Sequence, residues 1–401
     1  MANGRSHIDQ GCLDAVALGL LSRSGPDGLS IPRLARLAKV TTGPLYRRYD
    51  TGEDVAYDLW TRTLRAHFRR VCAALVSSRT NPDSLESQWL HAELAHPSIE
   101  SLAALHVMAT AHRLGPVGEQ IRRELDADIG SLTTLEASLP GIMVLAHLSL
   151  ALGSWLMSAS WPTIGESTAA ELTTFSEAYA NPAHWAVTGQ HLPYHPPKPL
   201  ITLSGDSAID DLRIATFRVV SMYGCASATA NRISRVAGRS VTSAYRQLGG
   251  KNELLADAIT HALHSDLGFS GAESSTAVVF GRDERLARSF QVLRHHVDDA
   301  NRQNRLFLLE VLLAAHDDAM VRTNVAAWLE KVRTRFAAAA ERLGATADGG
   351  TILRRLETRI GTGLGALVLS VAAPRWIGLY DLMPAVAAND SAMDLADDQA
   401  R

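Results

Sequence analysis

Ser30, Lys39, Thr41, Thr42, Gly43, Tyr46, Arg47 and Arg48 gather hydroxyls, cations and one glycine into a short stretch of chain. Hydroxyl and phenol groups donate hydrogen bonds to phosphate oxygens, and an arginine does the same or pairs with a guanine edge. Helical spacing separates these groups from the apolar ones. On a helix starting after Thr41, Leu45 and Tyr49 fall on one side, and Thr42, Gly43, Tyr46 and Arg47 on the other. A second set lies at Thr229, Arg239, Ser240, Thr242, Ser243, Tyr245, Arg246 and Lys251, with Ala244 and Leu248 on the apolar side. The chain has a net charge of −3, so only local charge can point to an anionic partner. From Leu212 to Asn252 there is no Asp or Glu, but Arg213, Arg218, Arg232, Arg235, Arg239, Arg246 and Lys251 are present. Arg33, Arg36, Lys39, Arg47 and Arg48 occupy the matching part of the first set, ahead of Asp50, Glu53 and Asp54. Such clusters suit a phosphate backbone; a solvated helix face is the alternative reading.

The elements that would position these groups are short helices. Ser30 can cap a helix whose inner face is Ile31, Leu34, Ala35 and Ala38, with Pro32 tolerated in its first turn. Lys39 and Val40 make the turn, and Thr41 caps the helix Thr42 to Tyr49. Thr229, the Gly238–Arg239 turn and Ser240 repeat the scheme, with Ala230, Ile233, Ser234 and Ala237 inside. Two short helices joined by a tight turn, the second exposing polar side chains, form a helix-turn-helix. The two sets are in register at an offset of 199: Leu13 with Leu212, Gly25 with Gly224, Arg33 with Arg232, Tyr46 with Tyr245 and Arg47 with Arg246. A weaker echo, offset by 212, matches Ala151–Pro162 to Gly363–Pro374. Both stretches carry small residues on an apolar helix, as faces that pack together would. A Pro-rich run at 190–207 divides the halves. The expected organisation is all-α: a helix-turn-helix domain at 1–60, a helical effector and packing domain at 61–189, the linker, then 208–262 and 263–401 as their second copies. Helical spacing extends over Ser101–Leu114, Gly118–Leu139, Asp283–Ala300, Arg302–Ala315 and Asp318–Leu343.

The stretch Leu29 to Tyr49 (LSIPRLARLAKVTTGPLYRRY) resembles the DNA-binding signature of the tetracycline-repressor (TetR) family, a capped helix, a short turn and a Gly-x-Leu-Tyr recognition helix. The first unit departs from the pattern after Tyr49, with Gly52 where the family has lysine. The second keeps Lys251-Asn-Glu-Leu254 but has Thr242 for the glycine and Ala244 for the leucine. The resemblance covers about fifty residues of each half. It implies a cytoplasmic transcription regulator of the repressor type that binds double-stranded DNA and is released by a small-molecule effector. Family members are usually homodimers of subunits about half this length, so this chain resembles two fused subunits: a pseudo-dimer able to read an asymmetric operator. The resemblance also implies a ligand pocket inside each half. Candidate lining residues are Trp89, His106, Met108, His112 and Trp155 in the first half, and Phe290, Phe307 and Trp328 in the second. Ordinary core packing is the other reading of each.

Other chemistries find little footing. Cys12, Cys72 and Cys225 are too few and too scattered for a disulfide framework or zinc knuckle. His261 and His264 are three apart and His295 and His296 adjacent, but no third ligand stands at a recognised spacing, so no metal and no cofactor is expected. There is no phosphate-cradling glycine loop, no Gly-x-Ser-x-Gly and no convincing acid pair, and no enzyme is expected. The apolar stretch Gly141–Trp161 carries His147 and several serines and lacks flanking cations, so it reads as a buried helix and no membrane partner is expected.

Overall fold

The computed structural model describes residues 9–81, 83–135, 141–170, 172, 204–242, 250–264, 297–342 and 349–379. Several helix starts coincide with short polar side chains that satisfy the first free N–H groups, and no strand occurs among the described residues. Asp9 accepts from the amides of Gly11 and Cys12 to begin α1 (Gln10–Ser24), which Gly25 ends at φ 61°. Ser30 accepts from the Arg33 amide to begin α2 (Ile31–Leu37). Then come α3 (Thr42–Tyr46) and α4 (Gly52–Leu59), the latter opened by a reciprocal capping box between Thr51 and Asp54. A π-helical turn, Trp60–Leu64, leads from α4 straight into α5 (Arg65–Thr80). The expected boundary at residue 60 thus lies inside a continuous helical run, and a rigid rod carries the first unit into the body. That rod is fixed to the helix Gly115–Leu135 by Trp60 Nε1 donating to Glu124 at 2.9 Å and by Arg65 paired with Asp128 at 2.8 Å.

The body of the first half continues with α6 (Leu85–Ala95), α7 (Ile99–Thr110), α8 (Gly115–Leu135) and α9 (Gly141–Met157). The second half has α10 (Ser207–Tyr223), α11 (Ala230–Val236), α12 (Lys251–His264), α13 (Arg302–Ala314), α14 (Ala319–Arg342), α15 (Gly349–Ala372) and α16 (Pro374–Leu379). α1 packs on α2, α4 and α7, while α10 packs on α11, α12 and α13. One continuous apolar cluster runs through both halves, with Trp60, Trp155, Phe68 and Phe307 among its fully buried members.

The halves meet most closely where α9 crosses α15. A Cβ on Gly153 would stand 1.8 Å from the Gly361 carbonyl oxygen, and one on Gly365 would stand 1.6 Å from that of Ser149. Residues 153 and 365 are equivalent at the offset of 212, and so are 149 and 361, so the contact is reciprocal. The small-residue faces read from the sequence are therefore in direct contact. No helix among the described residues is long and apolar enough to cross a membrane. The linker residues 190–203 and most of Asp283–Ala300 lie outside the described residues.

Candidate nucleic-acid interface

The first unit is built around a residue in an unusual conformation. Lys39 has φ 55°, the left-handed region, and it turns the chain between α2 and α3. Behind it the Val40 amide donates to the Ala35 carbonyl at 2.9 Å, so Val40 is drawn against the core. α3 is shorter than the spacing suggests, ending at Tyr46 rather than Tyr49. The Arg48 and Tyr49 amides both turn back onto the Leu45 carbonyl at 2.9 Å, and the last turn tightens. Leu45 and Tyr49 are buried as expected, and the Tyr49 hydroxyl donates to Asp58 at 2.6 Å. Thr42, Gly43 and Arg47 are exposed, and Tyr46 is 51% exposed. Thr41 occupies the cap position of α3 but makes no side-chain capping bond, a correction to the expected role. Ser30 is exposed and engaged as the α2 cap.

Among the described residues, the second unit repeats the turn and the bonds around it at the same offset of 199. Gly224 ends α10 at φ 80°, as Gly25 ends α1. The Thr229 hydroxyl accepts from the Arg232 amide at 3.2 Å, as Ser30 does from Arg33 at 3.3 Å. Arg232 donates to the Ser227 carbonyl at 3.0 Å, as Arg33 does to Gly28 at 3.1 Å. Gly238 holds φ 65° where Lys39 holds 55°, and the Arg239 amide donates to Ser234 at 2.9 Å as Val40 does to Ala35. The Gly250 amide donates to Glu253 at 2.8 Å, as the Thr51 amide does to Asp54 at 2.8 Å. Ser240 and Thr242 are exposed; Ser243, Tyr245 and Arg246, with Ala244 and Leu248, lie outside the described residues.

Charge is less free than the linear count implies. Arg239 lies 2.7 Å from Asp211, and Arg213 is held at 2.6 Å by Asp257 with Asp210 nearby. These acids stand just outside the acid-free window in sequence but fold back onto it. Lys251 is half-buried, donates to the Ala226 carbonyl at 3.5 Å and lines a cleft between the halves. Its counterpart Gly52 cannot be a lysine, because a Cβ there would stand 1.5 Å from the Leu29 carbonyl oxygen. In the first unit Arg48 is tied to Asp58 at 3.2 Å and Arg33 to the Gly28 carbonyl. Among the described residues, exposed cations therefore remain at Arg36, Lys39 and Arg47 in the first unit and at Arg218 and Arg235 in the second.

The expected effector residues scatter. Met108, Trp155 and Trp328 are buried core, and Phe307 stacks on Phe217 with centroids 4.6 Å apart. Trp89 lies under the Arg70 guanidinium at 3.8 Å, nearer the surface. His112 bonds its own helix end, the Ala109 carbonyl, at 3.0 Å. Phe290 lies outside the described residues. Among these candidates His106 lines a cleft of about 120 Å³ whose walls come from both halves. Around it stand Ser24, Asp27, Arg113, Lys251, Glu310 and Asp317. Burial holds His106 and His316 neutral, their rings edge to face at 5.3 Å, and raises the Glu310 carboxyl. The sequence reading missed this polar junction, although Glu310 stands out as a lone acid in the apolar run Leu306–Leu313.

A second polar cluster joins His67, Ser101 and Glu93. Ser101 is buried and donates to Glu93 while His67 Nε2 lies 2.8 Å from its oxygen. A serine whose proton goes to a carboxylate and which is closed to solvent is braced rather than activated. Among the described residues, no group of three or more His, Cys, Asp or Glu could hold a metal ion. In comparison with known proteins, no family model matches the chain and no curated protein matches it.

Proposed function

We propose that the chain is a DNA-binding transcription regulator of the tetracycline-repressor type, a single-chain pseudo-dimer whose two helix-turn-helix units read unlike half-sites. The observation that carries this reading is the recurrence of one turn geometry, with its flanking hydrogen bonds, at residues 25–40 and 224–239. Nothing in a plain helical bundle requires two copies of such a left-handed turn after a capped seven-residue helix. The reciprocal glycine contact of α9 and α15 supports the pseudo-dimer, since a two-fold contact brings equivalent residues together in this way. Repression and release by a small-molecule effector follow from the family resemblance.

In the first unit, Arg36, Lys39 and Arg47 would face phosphate, with Tyr46 and Thr42 at the same surface. The second unit would bind more weakly, because Arg239 must leave Asp211 before it can meet a phosphate. That neutralisation is also what favours a second reading, a sensor in which the second unit no longer reads DNA. Binding of duplex fragments by the Arg47→Ala and Arg246→Ala chains separates the two. Loss in both, larger for Arg47→Ala, supports two unequal working units. Loss for Arg47→Ala alone makes the second unit vestigial, and no loss in either removes the assignment.

A further inference from the structure

The first helices of both units end on one buried ionic cluster. Arg113, in the turn after α7, donates to Asp27 at 2.6 and 2.7 Å and through Nε to Glu310 at 2.8 Å. Asp27 belongs to the turn after α1 in the first half, and Glu310 to α13 in the second. The Arg113 and Glu310 side chains are only 13% and 4% exposed. Gly224, which ends α10, presses on all three groups. A Cβ there would stand 2.8 Å from Glu310 Oε2 and 3.0 Å from both Arg113 and Asp27. Gly25, which ends α1, sits in the same way on His106, with a Cβ 3.0 Å from Nδ1. The neighbouring Ser24 hydroxyl crosses to Asp317 in the other half at 2.7 Å.

A buried ion pair adds little net stability, because desolvation offsets most of its Coulomb energy, but its bidentate geometry is satisfied in only one arrangement. Here that arrangement involves an element from each half and the last turn of both first helices. We propose that Asp27, Arg113 and Glu310 are positioning residues that fix the separation and orientation of the two helix-turn-helix units, and with them the half-site spacing that the chain accepts. The consequence for DNA rests on the function proposed above; the positioning itself does not.

Leu37 and Val236 are equivalent, exposed and outside the cluster, and so suit spin labels. Labels at Leu37→Cys and Val236→Cys, in a Cys12→Ser chain, read the separation by pulsed dipolar spectroscopy; Cys72 and Cys225 are buried and stay unlabelled. With the cluster intact, one narrow distance distribution is expected. Arg113→Met and Asp27→Asn should widen it or move its mean by roughly 2 Å or more. Asp27→Asn keeps the Arg113–Glu310 pair, so it decides the matter even if Arg113→Met fails to fold. An unchanged distribution in the folded variants overturns the proposal. Unlabelled chains are then compared on duplexes whose half-site spacing differs by one base pair. The intact chain should prefer one spacing by roughly tenfold, and the variants should lose that preference. If the intact chain ignores DNA altogether, the proposed function falls, while the distance measurement still judges the cluster.

Discussion

Lys39 sits at φ 55°, where its counterpart Gly238 sits at 65°. A side chain in that region costs about 1 kcal/mol that glycine does not. The first unit thus keeps a cation at a backbone position better suited to glycine, on the exposed turn where phosphate contact is proposed. Lys39→Gly should raise unfolding stability by about 0.5–1 kcal/mol in urea titrations. It should also weaken DNA binding and reduce the slope of log affinity against log salt by about one. A variant that gains stability with unchanged binding would deny Lys39 its phosphate. The buried histidines make a separate, pH-dependent prediction. Burial lowers His112 and His316 to about 4 and pushes His106 down too, from an ordinary 6.5. Between those values the unfolded chain binds protons that the folded chain refuses. Their contribution is therefore full above about pH 6.5 and is lost as pH falls toward 4. Glu310 and Asp126, raised by burial, have the opposite sign but are two groups against four, since burial lowers His67 as well. Urea midpoints should fall steadily from about pH 7 to about pH 5; a flat profile would contradict the burial of these rings.

At the scale of elements, the α9–α15 crossing distinguishes two glycines on the same helix. Gly365→Ala drives a methyl into the Ser149 carbonyl and should cost about 3 kcal/mol. Gly361→Ala meets Leu150 Cδ1 at 3.5 Å and Ile164 Cδ1 at 3.8 Å, ordinary contacts, and should be neutral or stabilising by up to about 1 kcal/mol, since alanine is the better helix former. Equal effects in chemical unfolding would mean that the helices do not cross as closely as described. Much of this level was legible in the sequence. Ser30 and Thr229 announce helix starts, and the small residues of Ala151–Pro162 and Gly363–Pro374 announce a close crossing. Boundaries were less so. α7 stops at Thr110 and passes into a 3-10 turn at Ala111–Arg113, although apolar spacing runs on to Leu114. α3 ends early because Leu45 takes two returning amides, which periodicity cannot reveal.

In the whole molecule, what sequence could not convey is what folds back from a distance. Asp211 quenches Arg239 from just outside the acid-free window, and Asp27, Arg113 and Glu310 meet across separations of 86 and 197 residues. The aromatic and methionine candidates for a ligand pocket share that ambiguity: helical spacing looks the same for a core stripe and a pocket wall, and Phe307, Met108 and Trp328 are buried in the apolar cluster. The polar junction that does exist is made of charged residues from both halves. The central claim is that two unequal helix-turn-helix units on one chain read duplex DNA. The most direct test is to select bound fragments from genomic DNA with the full chain and measure their affinity at physiological salt. The account predicts fragments bound on the order of 10³-fold or more tighter than random DNA, carrying two unlike half-sites about 34–36 Å apart. Fragments no tighter than random DNA would contradict it.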